Sequence, residues 1–203
     1  MKWPRYVSLV PLATTLIVWP TACNRHKSPE PNQPADLAQK LYADVIAHPT
    51  SDIPSGDDWK IFAPFLSRSL LHEIDIYNAC IADEARYYAS GPPVKLASLA
   101  ESGIFSGADE KEAPGTAQVE NSQPQSDGTV RVTVKLGLPQ DQMEWRVVDV
   151  FKQEDGRFVL EDVVFPGEFF IKGLKDDRPP GPDGYLSQEL TGFCKGGTHW
   201  VSP

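Results

Sequence analysis

Apolar residues recur every three or four positions in the first half of the chain and every second position in much of the rest. Residues 35–47 carry Leu37, Leu41, Val45 and Ile46 at helical spacing, and Pro49 closes the run. Asp57, Asp58 and Trp59 open a short element containing Ile61 and Phe62. The strongest periodic segment is 66–88, where Leu66, Leu70, Ile74, Tyr77, Ile81, Ala85 and Tyr88 step by three or four. That spacing predicts one long helix with a continuous apolar stripe. Gly91-Pro92-Pro93 stops it.

The period then changes. Residues 101–128 show no clear repeat and read as loosely organised chain. From 129 to 138 the residues alternate, with Val130, Val132, Val134 and Leu136 on one side and Arg131, Thr133 and Lys135 on the other. Two further β-rich runs, 144–152 and 157–165, flank Asp155-Gly156, a two-residue hairpin signal. A Pro/Gly-rich stretch at 178–184 precedes a short helix near 185–190. Helices first and a strand meander afterwards predict an α+β domain.

The N-terminus carries a different signal. Lys2 and Arg5 precede an apolar stretch from 6 to 19 that is shorter than the roughly 20 residues a membrane span needs. A positive start, a short apolar run and small residues at its end describe an export signal. Thr21, Ala22 and Cys23 resemble the lipobox of bacterial lipoproteins, although Pro20 stands where an apolar residue is usual. The resemblance implies cleavage after Ala22 and acylation of Cys23, and Asn24 fits an outer-membrane destination facing the periplasm in a Gram-negative cell. An ordinary cleaved signal peptide is the alternative. Ser28, Pro29, Pro31, Asn32, Gln33 and Pro34 follow with almost no apolar residue, so the chain there predicts an extended tether. The expected organisation is a signal at 1–22, a tether at 23–35 and one globular domain at 36–203.

The order of elements resembles the nuclear-transport-factor-2-like, or cystatin-like, superfamily, and within it a group of bacterial lipoproteins. The residues that carry the resemblance are Phe65 to Leu70 opening a helix, Trp145 to Val148, and Asp155 to Phe165 around the hairpin. It spans about residues 36–170. It implies N-terminal helices packed into the concave face of a curved antiparallel sheet, a cone-shaped interior, and a sheet-mediated homodimer as one option. It implies little about activity, because one fold hosts many functions.

Charge narrows the partners. The net charge of −9 becomes −11 once Lys2 and Arg5 are removed. An acidic domain does not suit nucleic acid, which needs clustered positive charge. Three cysteines, Cys23, Cys80 and Cys194, are an odd number for an exported chain. Lipidation of Cys23 leaves Cys80 and Cys194 as a pair that can oxidise outside the cytoplasm. Two separate thiols are the alternative.

Motifs for metals, phosphate loops and activated nucleophiles are absent, and the residues imply no cofactor and no metal. His26, His48, His72 and His199 are scattered, and Asp176, Asp177 and Asp183 match no calcium loop. One constellation emerges from the hairpin. A two-residue turn at Asp155-Gly156 with regular pairing sets Phe151 opposite Leu160 and Asp149 opposite Asp162, among Trp145, Val147 and Val164. Two opposed carboxylates repel, and burial raises at least one pKa. Tyr77, Tyr87 and Tyr88 are candidates to line a pocket beside them. The bland alternatives are a bulge at Val147-Val148 that swings Asp149 outward, a longer turn that changes the register, and neutralisation of the pair by Arg131 or Lys135 from a neighbouring strand.

These features favour a lipid-anchored envelope protein that binds a protein or small molecule. One alternative is a hydratase or isomerase that uses the Asp149–Asp162 pair. Another is a periplasmic immunity or inhibitor protein.

Overall fold

The computed structural model describes residues 33–50, 52–89, 91, 103–107, 113–167, 169–171 and 183–195. Residues 1–32, where the signal and most of the tether are expected, lie outside them, as do Asp176, Asp177 and His199. Among the described residues no helix is long and apolar enough to cross a membrane.

The fold is α+β. Helix α1, Pro34–Ala47, takes Pro34 at its first turn, where a missing N–H costs nothing, and carries Asp36 near its positive end. Pro34 and Ala35, expected in the tether, are thus the first two residues of α1. The buried positions of α1 are Pro34, Ala38, Leu41, Tyr42 and Val45. The helix is turned relative to the Leu37–Ile46 stripe so that Tyr42 points inward. Helix α2, Gly56–Phe62, has Asp57 and Asp58 in its first turn and passes through a 3-10 turn to Phe65.

Helix α3 spans Arg68–Tyr88. It begins two residues later than the apolar pattern, because Ser67 caps it by accepting a hydrogen bond from the Leu70 amide at 3.0 Å. Its buried stripe is Leu70, Ile74, Tyr77 and Cys80. Beyond Cys80 the stripe fades: Ile81 and Tyr88 are half-buried and Ala85 is exposed.

The sheet is antiparallel and open. Its strands are β1 (Thr116–Pro124), β2 (Val130–Leu138), β3 (Met143–Glu154), β4 (Arg157–Phe165), β5 (Phe169–Ile171) and β6 (Gly184–Tyr185). The order is β1-β2-β3-β4-β6, with β5 paired to the start of β3. Strand β1 was not expected from the sequence. Only Ala117 and Val119 of β1 pack on the core, and a register shift between Val119 and Asn121 breaks the alternation. Helix α4, Leu186–Lys195, is longer than the short element expected there.

The Asp155-Gly156 turn forms as expected. Both residues have positive φ (51° and 79°), and Glu154 pairs with Arg157. Helices and sheet close on one core that includes Tyr42, Phe62, Leu70, Tyr77, Phe151 and Leu160. Each such side chain contributes roughly 1.5–3 kcal/mol when fully buried. Helix α4 packs against α3 and β4 and adds Leu186 and Leu190.

Candidate functional site

The hairpin starts in the expected register and then leaves it. Phe151 faces Leu160, but the next pair is Val150 with Asp162, followed by Asp149 with Val163. One step along β3 is matched by two along β4, so Glu161 is the extra residue of a β-bulge. The expected opposition of Asp149 and Asp162 therefore does not form. Asp162 pairs with a neighbour of Asp149, and neighbours along a strand point to opposite faces.

Asp162 has a structural partner. Its Oδ1 accepts from the Ser187 amide at 3.0 Å, and its Oδ2 accepts from the Ser187 hydroxyl at 2.6 Å. Ser187 lies in the first turn of α4, so the carboxylate satisfies a free N–H at the positive end of that helix.

Asp149 is fully buried. Its cross-strand neighbours are Val132 on β2 and Val163 on β4. Tyr42 Oη from α1 lies 2.9 Å from Asp149 Oδ1 and 2.9 Å from the Phe105 carbonyl oxygen. Asp149 Oδ2 has no hydrogen-bond partner. Burial pushes the Asp149 carboxyl up to about 7, against the smaller lowering effect of the Tyr42 hydrogen bond. The Tyr42 phenol is raised well above its usual value, by burial first and then by Asp149.

Proton counting settles how this group is bonded. A phenol carries one proton and cannot donate to two acceptors. With Asp149 protonated, the acid donates to Tyr42 Oη and Tyr42 donates to the Phe105 carbonyl. An ionised Asp149 competes with that carbonyl for the single phenol proton.

A turn at residues 103–107 covers the pair. Ser106 and Gly107 amides both donate to the Gly103 carbonyl, at 3.1 and 2.8 Å. Trp145 Nε1 donates to the Ser106 carbonyl at 2.8 Å. The Phe105 ring lies 5.2 Å from that of Phe62, centroid to centroid. Ile104, Phe105 and Ser106 are all buried. Gly107 has φ of 67°, and a Cβ there would sit 2.9 Å from the Phe165 ring. The turn is fastened to α1, α2, β3 and β4.

The tyrosine candidates are placed differently from one another. Tyr77 is buried in the core at 1% exposure. Tyr87 and Tyr88 meet edge-to-face at the end of α3, with Tyr87 exposed. The residue that does meet Asp149, Tyr42, had one sequence signal: it sits one position after Leu41 and three before Val45, on the buried side of α1.

A second polar cluster joins the start of α3 to the hairpin. Lys152 Nζ lies 2.7 Å from Ser69 Oγ, 2.6 Å from Glu161 and 3.1 Å from Glu154. A serine beside a lysine invites comparison with a nucleophile and its base, but that chemistry needs a neutral amine. Partial burial draws Lys152 down, yet its bonds to Glu161 and Glu154 outweigh this and hold it above the usual lysine value. Lys152 stays charged, and Glu154 accepts from the Arg68 amide at the start of α3. The cluster anchors a helix end.

Among the described residues, no group of three or more His, Cys, Asp or Glu side chains is placed to hold a metal. His72 and Asp75 are exposed, and His48 lies 3.4 Å from Asp58 at the surface. Asp183 is exposed ahead of β6. A surface pocket of about 330 Å³ opens at the end of β1 and β2, lined by residues such as Thr116, Leu138, Gln142 and Glu144. It includes none of the candidate site residues.

Cys80 is buried and disulfide-bonded. Cys194 belongs to α4, which packs on α3, but its side chain lies outside the described ones. The chain matches no protein-family model, no curated protein and no solved structure.

Proposed function

We propose that this chain is a lipid-anchored protein of the bacterial envelope whose folded domain works by binding a partner. One observation carries the second half of that statement: the buried carboxyl of Asp149 has no exposed surface, and Tyr42 ties it to the 103–107 turn. The carboxylate pair on which a hydratase or isomerase would rest is separated by the β4 bulge. The anchor is supported by Lys2, Arg5, the apolar stretch behind them and Thr21-Ala22-Cys23. The fold is proposed to be a cystatin-like cone, its helices packed on a sheet of this strand order. Cys80 is proposed to pair with Cys194, because α3 and α4 are in contact and Cys23 is assigned to the lipid.

Metabolic labelling with a clickable palmitate analogue tests the anchor. Label on the wild type that is lost in Cys23→Ser supports it, and label retained in that variant overturns it. Affinity capture with the intact protein from envelope extracts tests the binding role. One protein recovered reproducibly at stoichiometric yield supports that role and admits the immunity or inhibitor alternative. Neither a protein nor a small ligand recovered counts against it. Peptide mapping without reduction finds the Cys80–Cys194 linkage or a different one.

A further inference from the structure

Tyr42 is placed to report the protonation of Asp149 to the turn that covers it. Its hydroxyl is equidistant from Asp149 Oδ1 and the Phe105 carbonyl, at 2.9 Å each. It holds the turn through its one proton only while Asp149 supplies a proton of its own. When Asp149 is ionised, the phenol proton turns to the carboxylate, as hydrogen bonds to charged acceptors are the stronger. The Phe105 carbonyl then loses its donor inside the core, and the second carboxylate oxygen, Oδ2, still has no partner. Both consequences favour lifting the turn so that water reaches the carboxylate.

We infer that Asp149, Tyr42 and the Phe105 carbonyl form a proton-operated latch, which holds the 103–107 turn against the sheet in acid and releases it as the pH approaches neutrality.

The surroundings leave this response to Asp149. Tyr42 from α1 is the titratable group in contact with it. Val132 and Val163 flank it on β2 and β4, and the turn itself is Gly-Ile-Phe-Ser-Gly, without a charge. From α3 the core receives Leu70, Ile74, Tyr77 and the disulfide-bonded Cys80, and from α2 it receives Phe62. Among the described residues no cation approaches to stabilise the ionised form, and burial pushes the carboxyl up to about 7. The latch also has a defined moving part. Ser106 holds Trp145 through one carbonyl and Phe105 packs on Phe62, so release exposes an indole N–H and an aromatic face together.

The latch is independent of what the protein binds. Hydrogen exchange of the full-length protein tests it, read on the Ser106 and Gly107 amides with the intrinsic pH effect removed. Opening should rise about fiftyfold between about pH 5 and about pH 7, because an acid that must ionise on opening contributes roughly tenfold per pH unit until the pH nears its value in the closed state. The Val147 amide in β3 should stay far better protected than the turn at both values, and Asp149→Asn, which mimics the protonated acid, should hold the turn closed at both values. Equal opening of the wild type at the two pH values overturns the latch. So does a Val147 amide no better protected than Ser106, or an Asn variant that keeps the wild-type response. Should that variant fail to fold, the carbon-13 titration of the wild-type Asp149 carboxyl decides: a midpoint near 7 supports the latch, and one in the ordinary carboxylate range overturns it.

Discussion

Tyr42 and Asp149 are 107 positions apart in the chain, yet they meet at 2.9 Å in the core, with one carboxyl oxygen bonded and the other bare. Their contact ties the first helix to the central strand. It also makes the stability of the fold depend on a proton.

The sign of that dependence follows from the direction of the shift. Asp149 ionises near 4 in an unfolded chain and at about 7 in the folded one. Between these values the folded state holds a proton that the unfolded state has lost, so stability falls as the pH rises across that window and is level above it. The full difference is roughly 4 kcal/mol. Urea denaturation at a series of pH values should show this loss in the wild type and most of it removed in Asp149→Asn. Glu73 is raised in the same direction, by burial and then by Asp162 and Glu161, and accounts for a residual slope.

Tyr42→Phe removes the donor to the Phe105 carbonyl and the one partner Asp149 has among the described residues. Leaving a buried polar group unsatisfied costs roughly 1–3 kcal/mol, and the ring itself is kept. The denaturation midpoint should drop by that amount. The Asp149 carboxyl should titrate higher still, because the one bond that lowers it is gone.

Asp162 caps α4, and its substitutions should sort accordingly. Asp162→Asn keeps an acceptor for the Ser187 amide and should change stability little. Asp162→Ala should cost about 1 kcal/mol, in line with the loss of a helix cap. Its effect should appear first as faster hydrogen exchange in α4. A catalytic aspartate would show the opposite ranking in an activity assay, with the Asn variant as damaging as the Ala one.

Gly107 and Gly156 both have positive φ but differ in surroundings. A Cβ at Gly156 meets nothing within 4 Å, so Gly156→Ala should cost only the backbone strain, about 1–2 kcal/mol. Gly107→Ala adds a clash with the Phe165 ring and should cost more. Thermal melts of the two variants give the order.

Sequence periodicity read the local features well. The α3 stripe, the hairpin turn and the three long strands are all set by neighbours a few positions apart. Strand β1 escaped, because an edge strand with two inward apolar residues and a bulge has no period to detect. The site escaped for a different reason. Glu161 displaces Asp162 from its expected partner, and nothing in the local pattern marks it as surplus. Tyr42 resembled an ordinary helix residue, since its importance comes from a strand over a hundred positions away.

The surplus residue in β4 also divides the strand into two ladders that tolerate length changes differently. Excising Glu161 would leave Leu160 under Phe151 and Val163 beside Asp149, and would sacrifice chiefly the contacts to Lys152 and Ser69. Excising Val163 or Val164 would invert every side chain downstream and carry Phe165 off the turn it supports. A chain that gained or lost a residue here over generations would therefore be expected to do so at position 161, where the fold keeps slack.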